Sequence, residues 1–183
     1  MHWVGLSGSL RKDSYNTLLL KTASTLLPEG VAMEISSIDL PLYNADNDMP
    51  IAANRPEVVN KSREILTKAD ALVIVSPEYN YSIPGGLKNF IDWHSRGDDS
   101  PLLNKPVALM GATPGMWGTV RMQLAFNQVF QFLNMKPVLK PEILIAQANT
   151  KFDENGNLID GKAKELVGRK LKALKEAVLQ LRK

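Results

Sequence analysis

The sequence predicts an α/β fold in which a parallel sheet of five strands, in the order 2-1-3-4-5, lies between two layers of helices. Three observations predict it. Apolar runs alternate with helical patterns five times along the 183 residues, as in strands joined by crossover helices. Two of the runs, ALVIVS (71–76) and KPVALMG (105–111), are continuously apolar, the pattern of strands buried on both faces. No linker, internal repeat or low-complexity tract divides the chain, so residues 1–183 are expected to form one domain.

The elements follow in order. Residues 3–6 read as the first strand, and 15–27 as a helix with Leu18, Leu19, Thr22, Ala23 and Leu26 on its apolar side. Residues 31–38 alternate Val, Met, Ile against Ala, Glu, Ser, which is a strand with one face buried. The polar stretch 41–54 is a loop. Residues 56–69 are helical, with Pro56 suited to the first turn. Strand 71–76 is followed by helix 84–95, and strand 105–111 by the long, mostly apolar helix 119–134. Residues 143–146 form the last strand. Residues 161–181 form the closing helix, with Ala163, Leu166, Val167, Leu171, Leu174, Val178 and Leu181 along one face.

Composition narrows the chemistry. The chain has no cysteine, which removes disulfides, thiolate catalysis, iron–sulfur clusters and cysteine zinc sites. The two histidines, His2 and His94, are not brought together by any pattern, so no metal is expected. No apolar run approaches the about 18 residues that span a bilayer. The opening MHWVGL has no basic region followed by a long apolar stretch, so no signal peptide is expected and the cytoplasm is the expected compartment. The net charge is +3, but residues 160–183 carry eight basic side chains against three acids, a surplus of five. No aromatic or glycine pattern accompanies that stripe, so it reads as the solvated face of a helix rather than a nucleic-acid surface.

In a sheet of this order, ligands bind beyond the carboxyl ends of the strands, at the switch point between strands 1 and 3. Three loops therefore matter. SGSLRKDSYN (7–16) precedes a helix N-terminus, which presents free N–H groups and partial positive charge to an anion. Ser9, Ser14 and Asn16 add donors, and Arg11 adds a planar cation that clamps phosphate oxygens. The alternative is that Ser14 merely caps the helix while Ser7 and Ser9 fill a polar loop. SPEYNYSIPGG (76–86) offers the rings of Tyr79 and Tyr81 in a path fixed by prolines and glycines, which suits a planar heteroaromatic ligand; plain packing of the tyrosines is the alternative. ATPGMWGT (112–119) ends at another helix start. Arg121, just beyond it, faces a phosphate-bearing second substrate, a partner subunit, or an ordinary salt-bridge partner. The P-loop, the G-x-G-x-x-G fingerprint and the G-x-S-x-G elbow are all absent from the chain.

Together GSLRKDSYN (8–16), SPEYNYSIPGGLKNFIDW (76–93) and GATPGMWGTVR (111–121) resemble the NADPH-dependent FMN reductase family, and most nearly its bacterial quinone and chromate reductases. The resemblance implies a flavodoxin-like three-layer sandwich that binds FMN and uses NADPH or NADH. It implies that Ser9, Arg11, Ser14, Tyr15 and Asn16 belong to the FMN-phosphate loop. Pro77, Glu78, Tyr79, Asn80 and Tyr81 would line the isoalloxazine ring, and Thr113 and Gly115 would lie at its edge. It also implies a homodimer or homotetramer. The expected activity is ping-pong transfer of two electrons from NAD(P)H to quinones or similar acceptors such as chromate, azo dyes, nitroaromatics or free flavin, with no obligatory side-chain acid or base. The alternative function is that of a flavodoxin-type electron carrier without enzymatic turnover. No membrane or nucleic-acid partner is expected.

Overall fold

The computed structural model describes residues 1–48 and 54–182. Strand β1 (His2–Ser7) is followed by α1 (Tyr15–Thr25), β2 (Ala32–Ser36), α2 (Glu57–Lys68), β3 (Ala71–Val75), α3 (Gly85–His94), β4 (Pro106–Ala112), α4 (Val120–Phe132), β5 (Lys136–Pro137), β6 (Ile143–Ile145) and α5 (Gly161–Leu181). The part of the predicted loop at 49–53 lies outside the described residues. The sheet is parallel throughout, in the order β2-β1-β3-β4-β5, with β6 also paired to β4. β1 lies at the centre of the crossover, with Trp3 opposite Met33 on one side and Ala71 on the other.

The order is the predicted one, but the fifth position is filled by two short strands rather than one. β5 pairs with the start of β4, Pro106 opposite Lys136, and β6 with its end, Met110 opposite Ile143. The sequence between, KPVLKPEILI (136–145), explains the break. Pro137 and Pro141 have no N–H to give to a ladder, which confines such residues to edges and interruptions.

Alternation along the central strands feeds two cores. Trp3, Val73, Val75, Ala108 and Met110 face α1 and α5. Val4, Leu6, Leu72, Ile74, Val107 and Leu109 face α2, α3 and α4. Both faces of β3 are therefore covered, and all five of its residues are buried. β2 differs because it is an edge: Ile35, on its apolar side, is 45% exposed. On α1 the buried side chains are Asn16, Leu19, Leu20 and Ala23, so the buried face is turned from the predicted one.

The closing helix starts at the Asp160 cap, whose Oδ1 accepts the Ala163 N–H at 2.8 Å. Its basic stripe is only partly solvated. Lys170 is buried and donates its amine to the Val138 carbonyl, and burial lowers its pKa to about 8. Arg182 reaches Asp70 at 2.6 Å. Leu181, expected on the apolar face, is exposed. Among the described residues, no helix is long and apolar enough to cross a membrane.

Candidate functional site

The three loops meet at the carboxyl edge of the sheet and are tied to one another pairwise. The first leaves β1 through Gly8, whose N–H donates to Val75 O at 2.8 Å. A Cβ on Gly8 would stand 2.2 Å from Ser76 Oγ, so only glycine lets the first loop press against the second. Gly111 does the same at the third: a Cβ there would meet Ser76 O at 2.6 Å and Thr119 Oγ1 at 2.0 Å. The third tie is Asn16. Its amide donates to Ala112 O at 2.9 Å and accepts the Ala112 N–H at 2.8 Å, which fastens the start of α1 to the end of β4.

Within the first loop, side-chain oxygens bond the loop's own backbone. Ser9 Oγ accepts the Arg11 N–H at 3.2 Å, Ser14 Oγ accepts the Asn16 N–H at 3.2 Å, and Ser7 Oγ meets Thr17 Oγ1 at 2.8 Å. The two serine turns are of the ST type and shape the loop that leads into the helix start. Ser9, Ser14 and Asn16 are buried, whereas Arg11 is exposed and has no ion-pair partner among the described residues. The sequence reading treated the Asn16 amide as a free donor; in the structure it is committed to Ala112. Tyr15 packs on Phe152, ring centroids 5.5 Å apart.

The second loop is a tight hairpin. Tyr79 N–H donates to Ser82 O at 3.1 Å and Ser82 N–H to Tyr79 O at 2.9 Å. The two residues at its tip, Asn80 (φ 49°) and Tyr81 (φ 65°), are both left-handed, the geometry of a type I′ turn. Asn tolerates that region, but a bulky residue there is strained by about 1–3 kcal/mol. Tyr81 is 71% exposed, and its ring lies under Arg121, 4.2 Å from ring centroid to guanidinium. Trp117 of the third loop approaches the same guanidinium at 5.3 Å.

Glu78 joins this hairpin to α4. The helix begins after Thr119, which is left-handed and makes no side-chain cap. Glu78 supplies the cap instead: Oε2 accepts the N–H groups of Arg121 at 2.9 Å and Met122 at 3.1 Å, and Oε1 pairs with Arg121 Nη1 at 3.4 Å. A carboxylate at a helix N-terminus satisfies orphan donors and the helix dipole together. Glu78, expected in the segment that lines a ring, turns its carboxylate into this junction. Arg121 makes an intramolecular ion pair, the salt-bridge reading among the three left open, and its guanidinium lies over two aromatic rings. In the third loop, Thr113 Oγ1 accepts the Gly115 N–H at 3.2 Å, and Gly115 O accepts the Gln147 N–H at 3.0 Å.

The structure thus gathers Ser9, Ser14, Pro77, Glu78, Thr113 and Gly115 around one edge, with Arg11, Tyr79, Asn80 and Tyr81 on its exposed rim. Sequence reasoning missed Gly8, Gly111 and Trp117. The glycines were legible as small residues at strand ends, but the contact that demands them was not. Sequence reasoning also missed the loop after β2, whose Ile38 comes within 3.8 Å of a Cβ built on Gly86, where Leu10 also packs.

Comparison with known proteins agrees with this geometry. The family model described as NADPH-dependent FMN reductase matches residues 1–150. The chain is 44% identical over 180 residues to an NAD(P)H-dependent FMN reductase of Pseudomonas aeruginosa, covering 98% of this chain and 96% of that one. It is 40% identical over 162 residues to a quinone reductase of Escherichia coli, covering 86% and 84%. Among solved structures, the flavoenzyme NAD(P)H:(acceptor) oxidoreductase FerB of Paracoccus denitrificans superposes with a TM-score of 0.86 at 29% identity, covering 98% of this chain and 97% of that one.

Proposed function

The chain belongs to the NADPH-dependent FMN reductase family, and from that premise we propose that it passes two electrons from NADPH or NADH to quinones or similar small acceptors in a ping-pong cycle. The residues present fit FMN. Bare backbone at Gly8 and Gly111 lets the three loops close into one floor, and Arg11 leaves a cation on its rim without a carboxylate partner among the described residues. That convergence of an anion-seeking helix start with an aromatic hairpin is the observation that carries the reading.

In this reading Ser9, Arg11 and Ser14, with the N–H groups opening α1, hold the phosphate, while Tyr15 and Asn16 brace that loop from behind. Pro77, Glu78, Tyr79, Asn80 and Tyr81 border one side of the ring, and Thr113 and Gly115 its other edge. FMN, when bound, would supply the two-electron chemistry between nicotinamide and acceptor. The chain's own contribution is orientation, holding donor and acceptor in turn at about 3–3.5 Å from the reacting centre. Backbone N–H groups of the second and third loops, kept in register by Glu78, act as fixed dipoles. No side-chain acid or base is required, and His94 is buried in α3 against Ser62, remote from this role.

Exposed Tyr79, Tyr81, Met116 and Trp117 around the rim support flat acceptors such as quinones, azo dyes, nitroaromatics and free flavin, and the small tetrahedral chromate ion is a further candidate for the same open face. Leu124 and Phe132, exposed along α4, support a homodimer or homotetramer, and we place the protein in the cytoplasm. Initial-velocity kinetics with NADPH and benzoquinone test the proposal. Parallel double-reciprocal lines are expected. Converging lines contradict the ping-pong order, and near-absent turnover points to a flavodoxin-type carrier.

A further inference from the structure

Under the opposite part of the sheet, α2 and α3 cover a cluster of cations that the site at the strand ends does not use. Arg55, two residues before α2, and Arg63, on its second turn, are each 7% exposed. Arg55 Nε donates to Asp48 Oδ1, itself buried. Arg63 Nη2 donates at 3.2 Å to Asp99, a carboxylate largely in solvent. Arg96 Nε approaches the second oxygen of Asp48 at 4.0 Å. Three guanidinium groups therefore face two carboxylates.

His94 does not add to the charge. It is buried, with Nδ1 2.6 Å from Phe90 O and Nε2 2.7 Å from Ser62 Oγ. In the neutral tautomer that fits, Nδ1–H donates to the carbonyl, and Nε2 accepts from the Ser62 hydroxyl, for whose one proton Val59 O at 2.9 Å competes. Burial, with Arg63 and Arg55 nearby, lowers its pKa to about 4.

Two donors in this cluster have no partner among the described residues: Arg55 Nη2 and Arg63 Nη1 are both buried and unbonded. Buried donors are rarely left so, and those of a charged group least of all. The two cations feel each other: after burial itself, the charge of Arg55 is what most lowers the Arg63 pKa. A guanidinium can only donate, so the missing occupant must accept. A water would accept from both donors but leave the surplus positive charge uncancelled, whereas an anion does both.

We propose that Arg55 Nη2 and Arg63 Nη1 hold one small inorganic anion of about chloride size, a built-in counter-ion between α2, α3 and the chain at Asp48. The anion takes up the surplus positive charge and satisfies both donors at once. The near-complete burial of both side chains limits it to atomic or nearly atomic size.

The test uses FMN-saturated protein, so that the phosphate-binding loop is already filled. Thermal unfolding is followed in sodium chloride against sodium gluconate at equal ionic strength. The expected result is a saturating rise of about 2–4 °C in chloride, lost in Arg63→Met. Crystals grown in bromide should show an anomalous peak between Arg55 Nη2 and Arg63 Nη1. Equal melting in the two salts, a chloride shift that survives in Arg63→Met, or the absence of that peak each overturns the proposal. Should Arg63→Met fail to fold, the bromide peak in the unaltered protein decides alone.

Discussion

Replacing Glu78 with alanine should loosen the functional edge from its centre, because that carboxylate carries the hydrogen bonds that join the hairpin 79–82 to the start of α4. The structure sets the size of the effect. Two helix-terminal N–H groups lose their acceptor, and loss of an N-terminal cap costs about 1–2 kcal/mol. The ion pair to Arg121 adds little, since that side chain is 34% exposed and surface pairs contribute about 0–1 kcal/mol. A chain of this length loses about 2–4 °C per kcal/mol, so melting should fall by about 2–8 °C. FMN affinity should fall as well, because the second and third loops no longer share a fixed position. Glu78→Gln, which keeps an acceptor without the charge, should lie between. Differential scanning fluorimetry and titration of FMN fluorescence measure both quantities. A Glu78→Ala protein that melts and binds FMN like the unaltered chain would refute the reasoning.

Other expectations follow from neighbouring contacts. Arg11→Ala should weaken FMN several-fold or more, by loss of a charge-assisted bond of about 1.5–3 kcal/mol, less screening at an exposed site, while leaving riboflavin affinity unchanged; equal weakening of both ligands would count against a phosphate contact. Asn16→Ala strands the Ala112 N–H and C=O and should cost about 2–4 kcal/mol, read as a lower urea midpoint at constant slope. His94 gives the chain a pH dependence. Its folded pKa of about 4 lies below the ordinary 6.5, so between those values the unfolded chain takes up a proton that the folded chain refuses. Stability should therefore fall as pH drops through that window, by about 3 kcal/mol in all. His94→Gln should flatten that part of the urea-midpoint profile, and an unchanged acid slope would disprove the assignment.

Much of the fold was legible because burial writes itself into the sequence. The continuous run at 71–75 announced a strand covered on both faces, and the order of strands followed from the crossover pattern. What escaped depended on single groups. The interrupted fifth position turns on two prolines lacking donors, and the buried Lys170 on two carbonyls that the chain happens to present. At the site, the loops could be chosen from topology alone. The fate of each polar side chain could not, because donors such as Asn16 and acceptors such as Glu78 bind partners 96 and 43 residues away. A motif shows which residues assemble; it does not show which of them are spent on the assembly.

The central claim, that the loops after β1, β3 and β4 together hold FMN by its phosphate and ring, is tested most directly by titrating FMN with cofactor-stripped protein and following its fluorescence. One-to-one binding with a changed emission, weaker for riboflavin than for FMN, is the predicted result. FMN emission untouched by excess folded protein would contradict it.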